Sequence, residues 1–294
     1  MSNITAELVG ELRKRTGSGL MDCKKALVEA QGDLDKAEDL LAISSSKRAA
    51  KAATRVAGQG LVSASVSADR SSGAIIEVNC ETDFVARDSN LKEFMTKISA
   101  IILEDNINTI EALAGAPYAD GMSVDQAREA LIAKLGENIQ LRRLEKVKAP
   151  AGGYVAVYVH GERIAVLIVL TKPLEILAKD LAMQVAAMHP MYIDPKEVPQ
   201  SVVDREKAIL LERSQESDKP AHILEKMIEG QLKKYLSELC LIGQPYIKNP
   251  DETVESLLKK NDAQVTQMVR FEVGEGMIIE KKSFSEEVEQ MKKG

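Results

Sequence analysis

Tryptophan is absent from this 294-residue sequence, and six Tyr and four Phe bring the aromatic share to only 3%. So few large rings can be accounted for one at a time. A surplus of base is missing too: 39 Lys and Arg face 45 Asp and Glu, a formal charge of −6. That argues against a nucleic-acid binder working through a basic surface, because phosphate contacts need clustered cations. Cysteine is scarce and odd in number (Cys23, Cys80, Cys240), with no Cys-x-x-Cys pair and no His at metal-ligand spacing. Reduced thiols, no metal and a cytoplasmic setting are expected. The longest apolar run, Ile164 to Leu170, is too short to span a bilayer, and Glu7 and Glu11 interrupt any signal-like stretch at the start.

Catalytic signatures are equally sparse. No Gly precedes Lys, so there is no P-loop, and the Gly-x-Gly triplets at Gly17, Gly58 and Gly274 lack the third glycine of a dinucleotide fingerprint. There is no Gly-x-Ser-x-Gly elbow or His-Glu-x-x-His pair, and His160, His189 and His222 stand apart. No cofactor is expected. A thiol enzyme built on Cys80 is disfavoured because Glu81 and Asp83 lie beside it, and acids raise a thiol pKa.

The length suggests about two domains, and the pattern is α+β. Residues 1–45 read as a three-helix domain: Thr5 caps the first helix, Thr16 to Gly19 turn the chain, a second helix runs from about Asp22 to Ala30, and Asp33 caps a third. From Leu40 to Ala68 no acid occurs while Lys47, Arg48, Lys51 and Arg55 do, so residues 46–59 read as a tether with solvated charges, with a basic contact as the alternative. Alternation then begins: Val62, Ala64 and Val66 mark one strand, Ala74 to Asn79 a second, and Leu91 to Ile102 an amphipathic helix. A capping box at Ser123 and Gln126 opens a helix ending at Gly136, followed by a strand at Ile139 to Leu144, completing a first core subdomain, 60–150.

The order then repeats. A strand from Tyr154, a turn at His160 and Gly161, a buried strand at Ile164 to Leu170 and a helix over Leu177 to Met188 follow, and residues 92–100 align without gaps against 179–187. The second subdomain comprises 151–194 and 245–276, closed by a strand at Thr266 to Val273. Residues 195–244 interrupt it as a helical hairpin, whose Leu224, Met227, Leu232 and Leu236 are expected to drive self-association or an added partner contact. A C-terminal helical module occupies 277–294.

Three phenylalanines have structural places: Phe94 on a helical stripe, Phe271 in the closing strand and Phe284 at the start of the last helix. Phe84 lies between acids in the connection from Glu81 to Asp88. It either folds back as a staple on the following helix or projects as an apolar knob for a partner pocket.

Thr82-Asp83-Phe84-Val85, together with Met21-Asp22-Cys23-Lys24-Lys25-Ala26-Leu27 and Arg270-Phe271-Glu272-Val273-Gly274-Glu275-Gly276, resembles bacterial elongation factor Ts, the guanine-nucleotide exchange family that acts on elongation factor Tu. The motifs keep their order and the likeness runs over essentially the whole chain. It implies a ubiquitin-associated-like N-terminal domain that docks on the GTPase, with Leu12, Arg13, Leu20 and Met21 as contacts. Leu20 stands where familiar members carry Met. It further implies that Thr82, Asp83, Phe84 and Val85 intrude beside the partner's Mg²⁺ and phosphate site, that His160 and Gly161 approach another partner domain, and that residues 195–244 form a coiled-coil dimerisation arm. The chain would then be no bond-breaking enzyme. A scaffold that docks through the small bundle and the helical arm is the rival reading.

Overall fold

In the computed structural model, residues 4–105, 107–119, 121–214 and 220–277 are described. Helix α1 (Ala6–Thr16) starts where the Thr5 hydroxyl accepts from the Leu8 N–H, and it stops at Gly17, which takes the left-handed conformation that side chains resist. Helix α2 (Leu20–Glu29) follows at once, so Leu20 and Met21 form its first turn, whereas the composition placed them in the preceding turn. Val9, Leu12, Cys23, Ala26, Leu27, Ala37 and Leu41 close the small core of these helices.

Helix α3 (Leu34–Ala52) corrects the expected tether. Asp33 caps it, and no Gly or Pro interrupts the Ala- and Ser-rich stretch that carries it ten residues beyond the expected end near 42. Ser45, Ala49 and Ala52 are buried on a face too small in side chains to register as an apolar stripe. Two of the basic residues are engaged within the chain while remaining partly exposed. Arg48 holds Asp22 in a two-pronged pair at 2.7 and 2.9 Å, which keeps that carboxyl below its ordinary pKa, and Arg55 Nε lies 3.1 Å from Glu81.

Strands β1 (Gln59–Val66) and β2 (Ser72–Cys80) lead into a short helix α4 (Asp83–Ala86) and then α5 (Ser89–Glu104). After α6 (Ile110–Gly115) come a two-stranded ribbon, β3 (Pro117–Ala119) and β4 (Met122–Ser123), the capping-box helix α7 (Val124–Leu135) and β5 (Ile139–Lys148). Gly60 is needed for the approach of β1 to β2, since a Cβ there would lie 2.2 Å from the Val78 carbonyl oxygen.

The second run repeats this order. Strands β6 (Tyr154–His160) and β7 (Ile164–Leu170) pair antiparallel, and α8 (Glu175–Met188) follows. Then come the arm helices α9 (Gln200–Ser214) and α10 (Ala221–Leu239), a ribbon of β8 (Pro245–Tyr246) and β9 (Asn249–Thr253), the Thr253-capped helix α11 (Val254–Lys260) and β10 (Val265–Glu272). The sheets are ordered β1-β2-β5 and β10-β7-β6. In each, the second strand of the run is central and the last strand joins its free edge. Leu91, Phe94, Met95, Ile98 and Ser99 are buried in α5, and so are Ala178, Leu181, Ala182, Val185 and Ala186 in α8, each 178 − 91 = 87 positions on. The repeat is thus strand, strand, helix, ribbon, helix, strand, and the arm enters the second copy between helix and ribbon.

By contacts the chain divides into two compact units: Met1–Val62 with Ile76–Leu144 and Glu272–Gly294, and Ser63–Ile75 with Glu145–Phe271. In the second unit, β6, β7, α8, α11 and β10 enclose an aliphatic core around Ile168, Leu181 and Val185. The last turn of α9 (Leu210, Arg213, Ser214) and the first turns of α10 (Leu224, Met227, Ile228) line one groove of about 330 Å³, so the arm helices run antiparallel. Of the described apolar residues on α9 and α10, only Leu210 and Ile228 are buried. The C-terminal module, from residue 278 onward and including Phe284, lies outside the described residues.

In the first unit a carboxylate organises the polar interior. Glu77, on β2, has no solvent exposure and accepts from Arg142 and Arg143 of β5 and from the Gly274 N–H, each at 2.7 Å, and from Asn79 at 3.1 Å. Arg143 also pairs with Glu275 at 3.0 Å, and Arg142 donates to the Glu275 carbonyl. Burial alone would push the Glu77 carboxyl up, but these donors outweigh it and hold it below the ordinary value. A folded-state value below the unfolded one, about 4.3, gives stabilisation that is present above that pH and lost as acid titrates the buried group. Glu77→Gln would remove the counter-charge from Arg142 and leave Arg143 with Glu275 alone, and is expected to destabilise the chain by about 3 kcal/mol at neutral pH. Urea unfolding should show the gap between parent and variant closing below about pH 4; equal midpoints at pH 7 would contradict it.

Candidate partner-binding site

The connection expected as a loop contains helical structure. Strand β2 ends at Cys80, Thr82 is extended, and its hydroxyl accepts from the Val85 N–H at 3.3 Å to cap α4. One turn later Asp88 caps α5 through the Asn90 N–H at 2.8 Å. Four residues have no readable period, which is why α4 left no trace in the hydrophobic pattern.

Within that turn the side chains divide sharply. Val85 and Ala86 are buried. Phe84 is 80% exposed, so it does not fold back as a staple but projects. Asp83 is also at the surface, paired with Arg87 one helical turn on at 3.0 Å. An exposed ring of this size on a backbone fixed at both ends is unusual for a surface with no other use.

What fixes the backbone is Glu137, which no sequence signal singled out. Gly136, with φ +79°, ends α7 in the left-handed conformation and delivers Glu137 to the turn. The Glu137 carboxylate accepts from the Thr82 N–H at 3.0 Å and from the Thr82 hydroxyl at 2.6 Å. In return, Glu81 accepts from the Asn138 N–H at 2.5 Å and from Arg55. The partners lie 55 and 57 residues apart, a separation that leaves no motif.

Cys80 lies beneath this arrangement. It is fully buried, with its thiol 3.2 Å from the Thr82 carbonyl. Burial first, and then the carboxylates of Glu137, Glu81 and Asp83, push its pKa up to about 12. The thiolate needed for nucleophilic chemistry is therefore suppressed.

The other expected contact residues separate into accessible and inaccessible ones. Leu20 and Met21, in the first turn of α2, are 55% and 63% exposed, and Arg13 is exposed on α1. Leu12 is enclosed in the three-helix core and is corrected from a contact to a packing residue, because its place on α1 faces α2 and α3. His160 ends β6, Gly161 takes φ +57° in the turn to β7, and both are exposed, with the Tyr158 hydroxyl 3.3 Å from the His160 Nδ1.

A family model described as Elongation factor TS matches residues 81–275, beginning at the stitched turn. The elongation factor Ts of Thioalkalivibrio sulfidiphilus is 46% identical over 291 residues, covering 99% of each chain, and that of Photorhabdus laumondii is 45% identical over 293 residues, covering 100% of each. The elongation factor Ts of Methylococcus capsulatus is 46% identical over 286 residues and 97% of each chain. This chain belongs to the elongation factor Ts family. Membership makes it a translation elongation factor. Among the described residues no helix is long and apolar enough to cross a membrane.

In this member of the elongation factor Ts family all three thiols are buried. Alkylation at pH 7.5 should therefore leave the native protein essentially unlabelled and mark three cysteines after unfolding, as mass spectrometry would read; rapid labelling of Cys80 in the native state would contradict the burial argument.

Proposed function

We propose that this chain binds elongation factor Tu carrying GDP and promotes GDP release, so that GTP takes its place, and that it does so by binding alone, in the cytoplasm. The observation that carries the reading is Phe84, 80% exposed on a turn whose backbone is clamped at Thr82 and buried at Val85 and Ala86. Family membership supports the choice of partner.

The physical route runs through the partner's Mg²⁺, which demands near-octahedral oxygen ligands at about 2.0 to 2.1 Å. Small displacements of those ligands weaken nucleotide binding strongly. Phe84 enters an apolar seam of the GTPase, and Asp83 takes hydrogen-bond donors that otherwise support the metal and phosphate ligands. Leu20 and Met21, with Arg13 beside them, dock the small domain on the nucleotide-binding domain, and the His160-Gly161 turn meets a second domain of the partner. Linkage makes the exchange reversible: a factor that weakens GDP by some ratio is itself weakened by the same ratio when nucleotide returns, so abundant GTP releases it.

Truncating the wedge should remove a contact of hot-spot size, about 2 kcal/mol, and slow release roughly thirtyfold. Phe84→Ala is therefore expected to reduce stopped-flow release of a fluorescent GDP analogue from elongation factor Tu to that degree, with the factor's own melting unchanged because the residue is 80% exposed. Parental rates in Phe84→Ala would overturn the wedge, and binding without accelerated release by the parent would favour a scaffold.

The arm, residues 195–244, is proposed as the self-association element. Leu211, Ile223 and Met227 remain exposed along it, while Leu210 and Ile228 fill its seam. Deleting Ser201 to Leu239 should lower the solution mass from that of a dimer to that of a single chain by light scattering; an unchanged mass per particle, after allowing for the deleted residues, would remove this role.

A further inference from the structure

We infer that Glu137 is the positioning residue of the exchange turn: it aims Phe84 without touching the partner. The inference deepens the proposed function and rests on the reading of Phe84 as a wedge.

Helix α4 has four residues, far below the roughly 12 to 15 at which an isolated helix holds together in water. Its direction must be imposed from outside, and two contacts impose it. On one side Val85 and Ala86 are buried, which fixes how deep the turn sits. Burial alone leaves the start of the turn free to swing, since apolar contact is not directional. On the other side the Glu137 carboxylate takes both the N–H and the hydroxyl of Thr82, and two hydrogen bonds to one residue fix orientation as well as position. The same hydroxyl accepts from the Val85 N–H, so the clamp passes directly into the first turn of α4 and to the Cα that carries Phe84. The reverse bond from the Asn138 N–H to Glu81 locks the register between the two segments, so that the carboxylate cannot shift along the chain.

The chemistry points to positioning over stability. A carboxylate engaging both polar groups of an N-cap residue acts here on a turn of only four residues, whose other anchors are the buried Val85 and Ala86. It adds much to the aim of a side chain two residues along. A wedge that acts on metal ligands loses effect with small angular errors, and misplacement by about 1 Å can cost two orders of magnitude in a positioned reaction.

The test is a cycle on the full chain, reading release of a fluorescent GDP analogue from elongation factor Tu as a function of factor concentration. Glu137→Ala is expected to lower the maximal release rate about tenfold, the worth of one or two hydrogen bonds, while the half-saturating concentration changes less than about twofold because docking elsewhere is intact. Glu137→Gln keeps one acceptor oxygen and should recover part of the rate. In the double variant with Phe84→Ala, the Glu137→Ala defect should vanish, since a residue that works only through Phe84 has nothing left to position. Should Glu137→Ala lower the melting temperature, Glu137→Gln takes its place in the cycle. Multiplicative defects in the double variant, or a parental rate in both Glu137 variants alongside a slow Phe84→Ala, would overturn the positioning role and leave the wedge standing. A parental rate in Phe84→Ala would overturn both.

Discussion

A single buried carboxylate joins strand β2 to the segment that follows β10. Glu77 draws two arginines of β5 and the backbone of Gly274 onto β2, across a sequence separation of 197 residues. An ion of this kind is costly to bury unless nearly every lone pair is engaged, and here four donors engage it. The requirement is restrictive: β2, β5 and the segment after β10 must all arrive before the charge is satisfied. The Arg270 to Gly276 motif, which looked like a signature of function, is therefore in part the chain's own closure, with Gly274 and Glu275 supplying contacts to the first unit's interior.

On this closed framework the turn after β2 is built from two opposed demands. Val85 and Ala86 are drawn in, Phe84 is held out, and the carboxylates of Glu81 and Glu137 cross between strand end and helix end to keep the division fixed. Burial first, and then the same carboxylates, keep the Cys80 thiol beneath the turn protonated.

Much of this was legible before any coordinates. Amphipathic helices such as α5 and α8 announce themselves by period, strands by alternation, and the capping box at Ser123 by composition. The internal repeat showed through two aligned helices, and five buried positions of α5 recur as buried positions of α8 at one offset. What escaped had no period to show. Helix α4 is too short, the β3-β4 and β8-β9 ribbons are two to five residues per strand, and the later half of α3 buries only Ser and Ala. Pairings across more than fifty residues, Glu137 with Thr82 and the Asn138 N–H with Glu81, belong to no motif because spacing carries no information about contacts made through the fold. Leu12 was placed among the contacts by the family resemblance, and the structure encloses it in the three-helix core.

The repeat has a further implication for how such a chain can change. Both copies possess a gap between their long helix and their small ribbon; in the first it holds only α6, in the second it holds the α9-α10 arm. Because the frame on either side is the same, the gap is a modular socket, tolerant of length, and the shorter copy has an unused counterpart of the one from which the arm grows. A helical hairpin transplanted into the connection around residues 105–116 would meet a frame already suited to carry it. Duplication therefore gave this fold a second attachment point as well as a second sheet.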